Sequence, residues 1–96
     1  MKIKPKKFSV NMVASFSSTI DIVIYKDEQD RLYRLRYIVD DEQHSYKEIE
    51  ALYRVMRISQ YAPEIIDGEI IGEYSDEFHV KVGNDIYVLQ KNGEKR

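Results

Sequence analysis

Residues 45–61 read SYKEIEALYRVMRISQY, and whether this stretch is a helix decides the fold class. Ser45 and Glu48 form a capping box, in which the hydroxyl accepts from the Glu48 amide while the carboxylate reaches back to the Ser45 amide. Placed 100° apart, Tyr46, Ile49, Leu52, Tyr53, Val55 and Met56 spread over more than half of a helical circumference. Lys47, Glu50, Arg54 and Arg57 form the remaining polar strip, with Glu50 and Arg54 in the favourable i,i+4 order. Pro63 stops the helix near Tyr61, because a residue before proline is driven out of the α region. The spacing therefore predicts one amphipathic helix. Its apolar arc is wider than one sheet face covers, which leaves two arrangements: burial against a curved sheet, or a homodimer in which a second copy covers the rest.

On either side the period changes to two. KFSVNMVA places Phe8, Val10 and Met12 on one face, and STIDIVIYK places Ile20, Ile22 and Ile24 opposite Asp21, Val23 and Tyr25, which suits a central strand. KDEQD supplies a turn, after which RLYRLRYIV puts Tyr33, Leu35, Tyr37 and Val39 on the expected core side. Beyond Pro63, IIDGEII reads either as a hairpin turning at Asp67–Gly68 or as one bent strand with a bulge at Gly68. EFHVKV, a GND turn and IYVLQK complete a second meander. The expectation is a single α+β domain over 1–96, in the order β-β-β-α-β-β-β. Its helix packs on an antiparallel sheet or plugs one end of a curved one. Residues 1–6 form a basic arm and 92–96 a polar tail.

A chain of 96 residues, 43% hydrophobic and 33% charged, supports one core and no more, so any function belongs on the surface of that single unit. Without cysteine there is no disulfide, no thiolate metal site and no thiol nucleophile, and a reducing compartment, the cytoplasm, is expected. No apolar run approaches the roughly 18 residues of a membrane span, and MKIKPKKFSV lacks the apolar stretch of a secretory signal. Usage rich in Ile, Lys and Tyr follows AT-rich coding and points to a bacterial or phage origin.

Catalytic chemistry finds little support. His44 and His79 stand in no metal-ligand spacing, no phosphate loop or nucleophile elbow occurs, and DEQD (27–30) and DDEQ (40–43) fall where turns are expected. No enzyme, metal or cofactor is expected. Nucleic acid is the alternative partner, through Lys4, Lys6, Lys7, Arg34 and Arg36. Strand alternation, however, sends Arg34 and Arg36 to one face and Tyr33 and Tyr37 to the other, and a net charge of −2 lacks the basic excess that phosphate binding requires.

The stronger signal is acidic. Between Ile58 and Val80 stand Glu64, Asp67, Glu69, Glu73, Asp76 and Glu77 without a Lys or Arg, while MKIKPKK holds four lysines and no acid. Either the meander keeps acids on its wet face with those lysines alongside, or an acidic ribbon docks on a basic partner, including as a mimic of nucleic-acid phosphate. Eight tyrosines and no tryptophan favour contact surfaces, with Tyr25, Tyr74 and Tyr87, on outward or unassigned faces, better surface candidates than Tyr33 or Tyr37. The expected function is a small regulatory or inhibitory protein-binding module. Glu69, Glu73, Asp76 and Glu77 supply its charge and Tyr74 its anchor.

Overall fold

The computed structural model describes residues 6–17, 19–40 and 58–91. Its six strands are β1 (Lys6–Ser17), β2 (Asp21–Lys26), β3 (Leu32–Asp40), β4 (Ile65–Glu73), β5 (Glu77–Val82) and β6 (Asp85–Lys91). They close into one antiparallel barrel in the order β1-β2-β3-β6-β5-β4. This corrects the expected α+β architecture with a helix packed on a sheet. The two meanders exist, but β1 pairs with β4 and β3 with β6, so the two are joined along both sides into a single wall. No α-helix occurs among the described residues. Ile58–Gln60 is a 3-10 turn, and the rest of the expected helix, with Ser45 and His44, lies outside those residues. No helix among them is long and apolar enough to cross a membrane.

Closure follows from the length and bend of β1. Over Lys6–Asn11 it pairs with β4, and over Asn11–Ser17 with β2, the exchange of partners falling at Asn11. Val13 is an extra residue between the pairs Met12–Tyr25 and Ala14–Ile24, and such a bulge bends a strand and raises its twist. One strand can then serve two neighbours that diverge.

Inside the wall, the period-two positions meet. Val10, Val23, Leu35, Ile66, Val80 and Leu89 are fully or almost fully buried, and each such aliphatic side chain stabilises the fold by about 1.5–3 kcal/mol relative to exposure. Phe8, Tyr33 and Phe78 form an aromatic cluster with centroids 5.2–5.8 Å apart, the Phe8–Tyr33 pair edge-on at 87°. Ile58 joins the same core, and the Ser59 amide and hydroxyl both donate to Asp21 Oδ2, at 2.9 and 3.0 Å, tying the 3-10 turn to β2.

Two of the tyrosines expected at the surface are interior. Tyr25 is completely buried and its hydroxyl donates to the Pro63 carbonyl at 2.6 Å, and Tyr87 is also buried. Burial pushes both phenols above their ordinary pKa, with Tyr87 adding to the effect on Tyr25 and Asp85 to that on Tyr87. The misplacement has a physical cause: alternation says which residues share a face but not which face is inside, and the acids two residues away, Asp27 and Asp85, lie at the strand ends where the chain leaves the wall. A second bulge, between Leu35 and Tyr37, resets the alternation of β3. Tyr33, Leu35 and Ile38 belong to the barrel core, whereas Tyr37 and Val39, expected beside them, join Ile86 and Val88 in a separate cluster.

Asp67–Gly68 is not a turn. Ser9, Phe8 and Lys7 pair in sequence with Asp67, Gly68 and Glu69, so β4 runs through as one strand. A Cβ on Gly68 would collide with the Lys81 carbonyl oxygen and lie 2.7 Å from Val82 Cγ2, so the absent side chain is what lets β4 approach β5. The β5–β6 connection is the tight turn, with Gly83 at φ 64 in the first position of a two-residue loop.

The β2–β3 turn is organised by one carboxylate. Asp27 Oδ1 accepts from the amides of Gln29 and Arg31, both at 2.9 Å. Its Oδ2 accepts from Arg31 Nε at 2.8 Å and from the Tyr33 hydroxyl at 2.9 Å. Burial alone would raise the Asp27 carboxyl, but these four donors outweigh it and hold the group below its ordinary value. Tyr33, buried and facing that carboxylate, is pushed up to about 12.

Two outcomes follow from this geometry. Gly68→Ala should lower the unfolding free energy by about 2–4 kcal/mol in urea titrations, because backbone must move to admit the methyl; a change below about 0.5 kcal/mol would contradict the close approach. Asp27 stabilises the fold only while ionised, so its contribution is complete above the unfolded carboxyl value near 3.9 and is lost as pH falls through the lower folded value. Asp27→Asn should therefore destabilise by about 1–2 kcal/mol at pH 7 and flatten the acid limb of a melting-temperature profile, whereas parallel profiles would remove this role.

Candidate functional site

The acidic residues singled out in the sequence gather where β4 turns into β5. Gly72 and His79 stand opposite each other beside a register shift between Ile70 and Gly72, and Glu73 pairs with Phe78. The Tyr74 amide donates to the Glu77 carbonyl at 2.9 Å, which closes the turn. Strand β6 clamps it from the side. The Lys91 amide donates to the Asp76 carbonyl at 2.8 Å, its ammonium donates to the Tyr74 carbonyl at 2.9 Å, and the same ammonium sits 4.4 Å from the Phe78 ring centroid.

Tyr74 is 53% exposed, yet its ring is held. It packs at 4.8 Å between centroids on the imidazole of His79, over a space that exists because Gly72 has no side chain: a Cβ there would lie 3.1 Å from the Tyr74 ring. His79 is itself buried, with Nε2 2.9 Å from Glu77 Oε2, so an Nε2–H donates to that carboxylate. The chain Glu77–His79–Tyr74 orients one exposed phenol. The sequence marks His79 only as lacking metal-ligand spacing, yet Glu77-x-His79 in a strand puts both side chains on one face, which is the pattern this bond uses.

The lysines and acids are not held apart in space. Lys6 Nζ lies 3.1 Å from Glu73 Oε1. Lys7 and Lys81 stand in cross-strand register on either side of Glu69, and an open cleft beside them is lined by Asp67 and Gly83 as well. Thus β1, which begins at Lys6, lays its cations along the acidic strand instead of leaving them on a free arm. Asp76 is exposed at the tip and has no ion-pair partner among the described residues.

The alternative nucleic-acid residues are divided. Lys4 lies outside the described residues, and Lys6 and Lys7 face β4. Arg34 lies across from Ile24 and Gln90 on β3, two strands away from β1. Arg36 meets Tyr37: its Nη2 donates to the phenol oxygen at 3.3 Å and its guanidinium carbon is 5.3 Å from the ring centroid. The β3 bulge therefore brings together an Arg and a Tyr that simple alternation separates.

Among the described residues no group of three or more His, Asp or Glu side chains is arranged to hold a metal ion. Compared with protein-family models, with curated proteins and with solved structures, the chain matches none.

Proposed function

We propose that this protein is a non-enzymatic binding module, a regulatory or inhibitory accessory factor that docks on a basic protein surface through the β4–β5 hairpin. The observation that carries the reading is Tyr74, an exposed aromatic packed on His79 beside Gly72 in the turn that also carries Glu73, Asp76 and Glu77. A large side chain ordered before contact loses little entropy on binding, which is what makes Tyr an efficient anchor at the centre of an interface. Asp76 and the half-exposed Glu73 form its anionic rim.

The lysines beside these acids moderate the field without removing the site. With side chains 69% and 45% exposed, the Lys6–Glu73 pair is worth under about 1 kcal/mol, so a partner's Arg or Lys displaces Lys6 from Glu73 at small cost. Glu69, between Lys7 and Lys81, sits at the margin of the contact. The cysteine-free composition suits the cytoplasm as the place of action.

Affinity capture from the native host tests this reading with two variants that leave the barrel core untouched. Tyr74→Ala should weaken retention of the partner at least tenfold, and the combined Glu69→Lys, Glu73→Lys and Asp76→Lys variant, which spares the Glu77–His79 bond, should abolish it, both with circular dichroism unchanged. Retention unaffected by either variant would refute the site. A second reading, a single-stranded nucleic-acid surface on β3, is favoured by the Arg36–Tyr37 pair, since cation and ring together are what stacks and neutralises a nucleotide. It predicts oligonucleotide binding that weakens steeply with salt and is lost in Arg34→Ala/Arg36→Ala, and a flat low-salt titration would dispose of it.

A further inference from the structure

The far end of β1 is built differently from the rest of the wall. Pairing with β4 ends at Asn11, with the Met12 amide donating to the Glu64 carbonyl at 2.7 Å, and beyond it Val13–Ser17 has β2 on one side and, among the described residues, no strand on the other. In an antiparallel ladder a strand exchanges bonds with each neighbour only at every second residue, so a strand with one neighbour turns a row of amides and carbonyls outward. Exposed edges of this kind are normally guarded by Lys, Glu or Pro. Here the guard is missing: the thirteen residues from Phe8 to Ile20 contain no charged side chain, in a chain that is one-third charged. The edge is also apolar, with Val13 49%, Phe16 58% and Ile20 63% exposed. Asp21, the first charge after this stretch, is occupied by Ser59.

We infer that Val13–Ser17 pairs antiparallel with the same segment of a second copy, forming a two-fold dimer centred on Ser15. The unpaired segment fixes this register, because Ser15 is its midpoint and only pairing about that residue engages all five positions. The side chains suit it. Phe16 of each copy then lies opposite Ala14 of the other, a large residue against a small one on the same face, and Ser15 meets its own equivalent. No like charges face each other across the axis, which a self-pairing edge requires and a strand evolved for a charged target does not. The contact lies at the opposite end of β1 from Lys6, about 30 Å along the strand at 3.3 Å per residue, and the β4–β5 turn lies beyond Lys6, past its partner Ile70. Both copies therefore keep their hairpins clear, and the dimer is independent of the function proposed for them. A five-residue ladder with few large side chains is a small interface, so the dimer should be reversible, with a dissociation constant on the order of micromolar.

Sedimentation velocity and cysteine cross-linking test the dimer. The purified chain should shift from monomer to dimer between about 1 and 300 µM, and Phe16→Lys and Ser15→Lys should remain monomeric throughout with unchanged melting temperature. Because the protein has no cysteine, Ser15→Cys introduces one thiol per chain. At the axis the two Cα atoms come about 4.5–5.5 Å apart, within disulfide range, so mild oxidation should convert most of this variant to a covalent dimer, and Ser9→Cys, on the paired part of β1, should not respond. A wild-type monomer at every concentration, or equal cross-linking of the two cysteine variants, would overturn the inference, and a monomer would leave the edge to a strand from a different protein.

Discussion

The structure depends on a single strand serving two partners. Lys6–Asn11 of β1 is bonded to β4 and Asn11–Ser17 to β2, and the Val13 bulge lets the strand turn between them. Without that division the two meanders would be joined only through β3 and β6, as one open six-stranded sheet with raw edges at β1 and β4. With it, the apolar faces look inward at one another, and Val10 and Ile66 from one junction share a core with Leu35 and Leu89 from the other. Gly68 makes the same geometry tolerable on the β4 side, where backbone comes too close to β5 for any side chain.

Closure also decides the electrostatics of the candidate site. Once β1 lies against β4, Lys6 reaches Glu73 and Lys7 stands opposite Glu69, although these residues are more than sixty positions apart in the chain. The acidic ribbon becomes a surface of alternating sign with its unneutralised end at Asp76. What distinguishes the hairpin is then less its charge than its order: a clamp from Lys91, a histidine behind the phenol, and a glycine that makes room for it. Recognition through such a tip rests on a preformed aromatic contact, with charge steering the approach.

Local pattern made much of this readable. The two-residue period locates β1, β2, β3 and β5, whereas it leaves β4 open between a hairpin and one strand; the Asp27 turn and the Gly83 hairpin carry their own chemistry. The readings that failed needed information from elsewhere in the chain. Alternation says which residues share a face but not which face is inside, so it does not reveal that Tyr25 and Tyr87 are interior; a bulge shifts the count by one, so it misplaces Tyr37 and Val39. Asp67–Gly68 has the composition of a turn, and only its pairing with β1 shows that the glycine answers to a neighbouring backbone. At the site, Tyr74 was legible as an exposed aromatic among acids, whereas its support by His79 depended on the register of β4 against β5.

The most direct test of the closed wall is a set of cross-strand nuclear Overhauser contacts in the isotopically labelled protein. Closure predicts backbone contacts across both junctions in one molecule, Ser9 to Asp67 between β1 and β4 and Ile38 to Tyr87 between β3 and β6, together with the contacts inside each meander. Contacts confined to the two meanders, with neither junction observed, would contradict the barrel and everything argued from it.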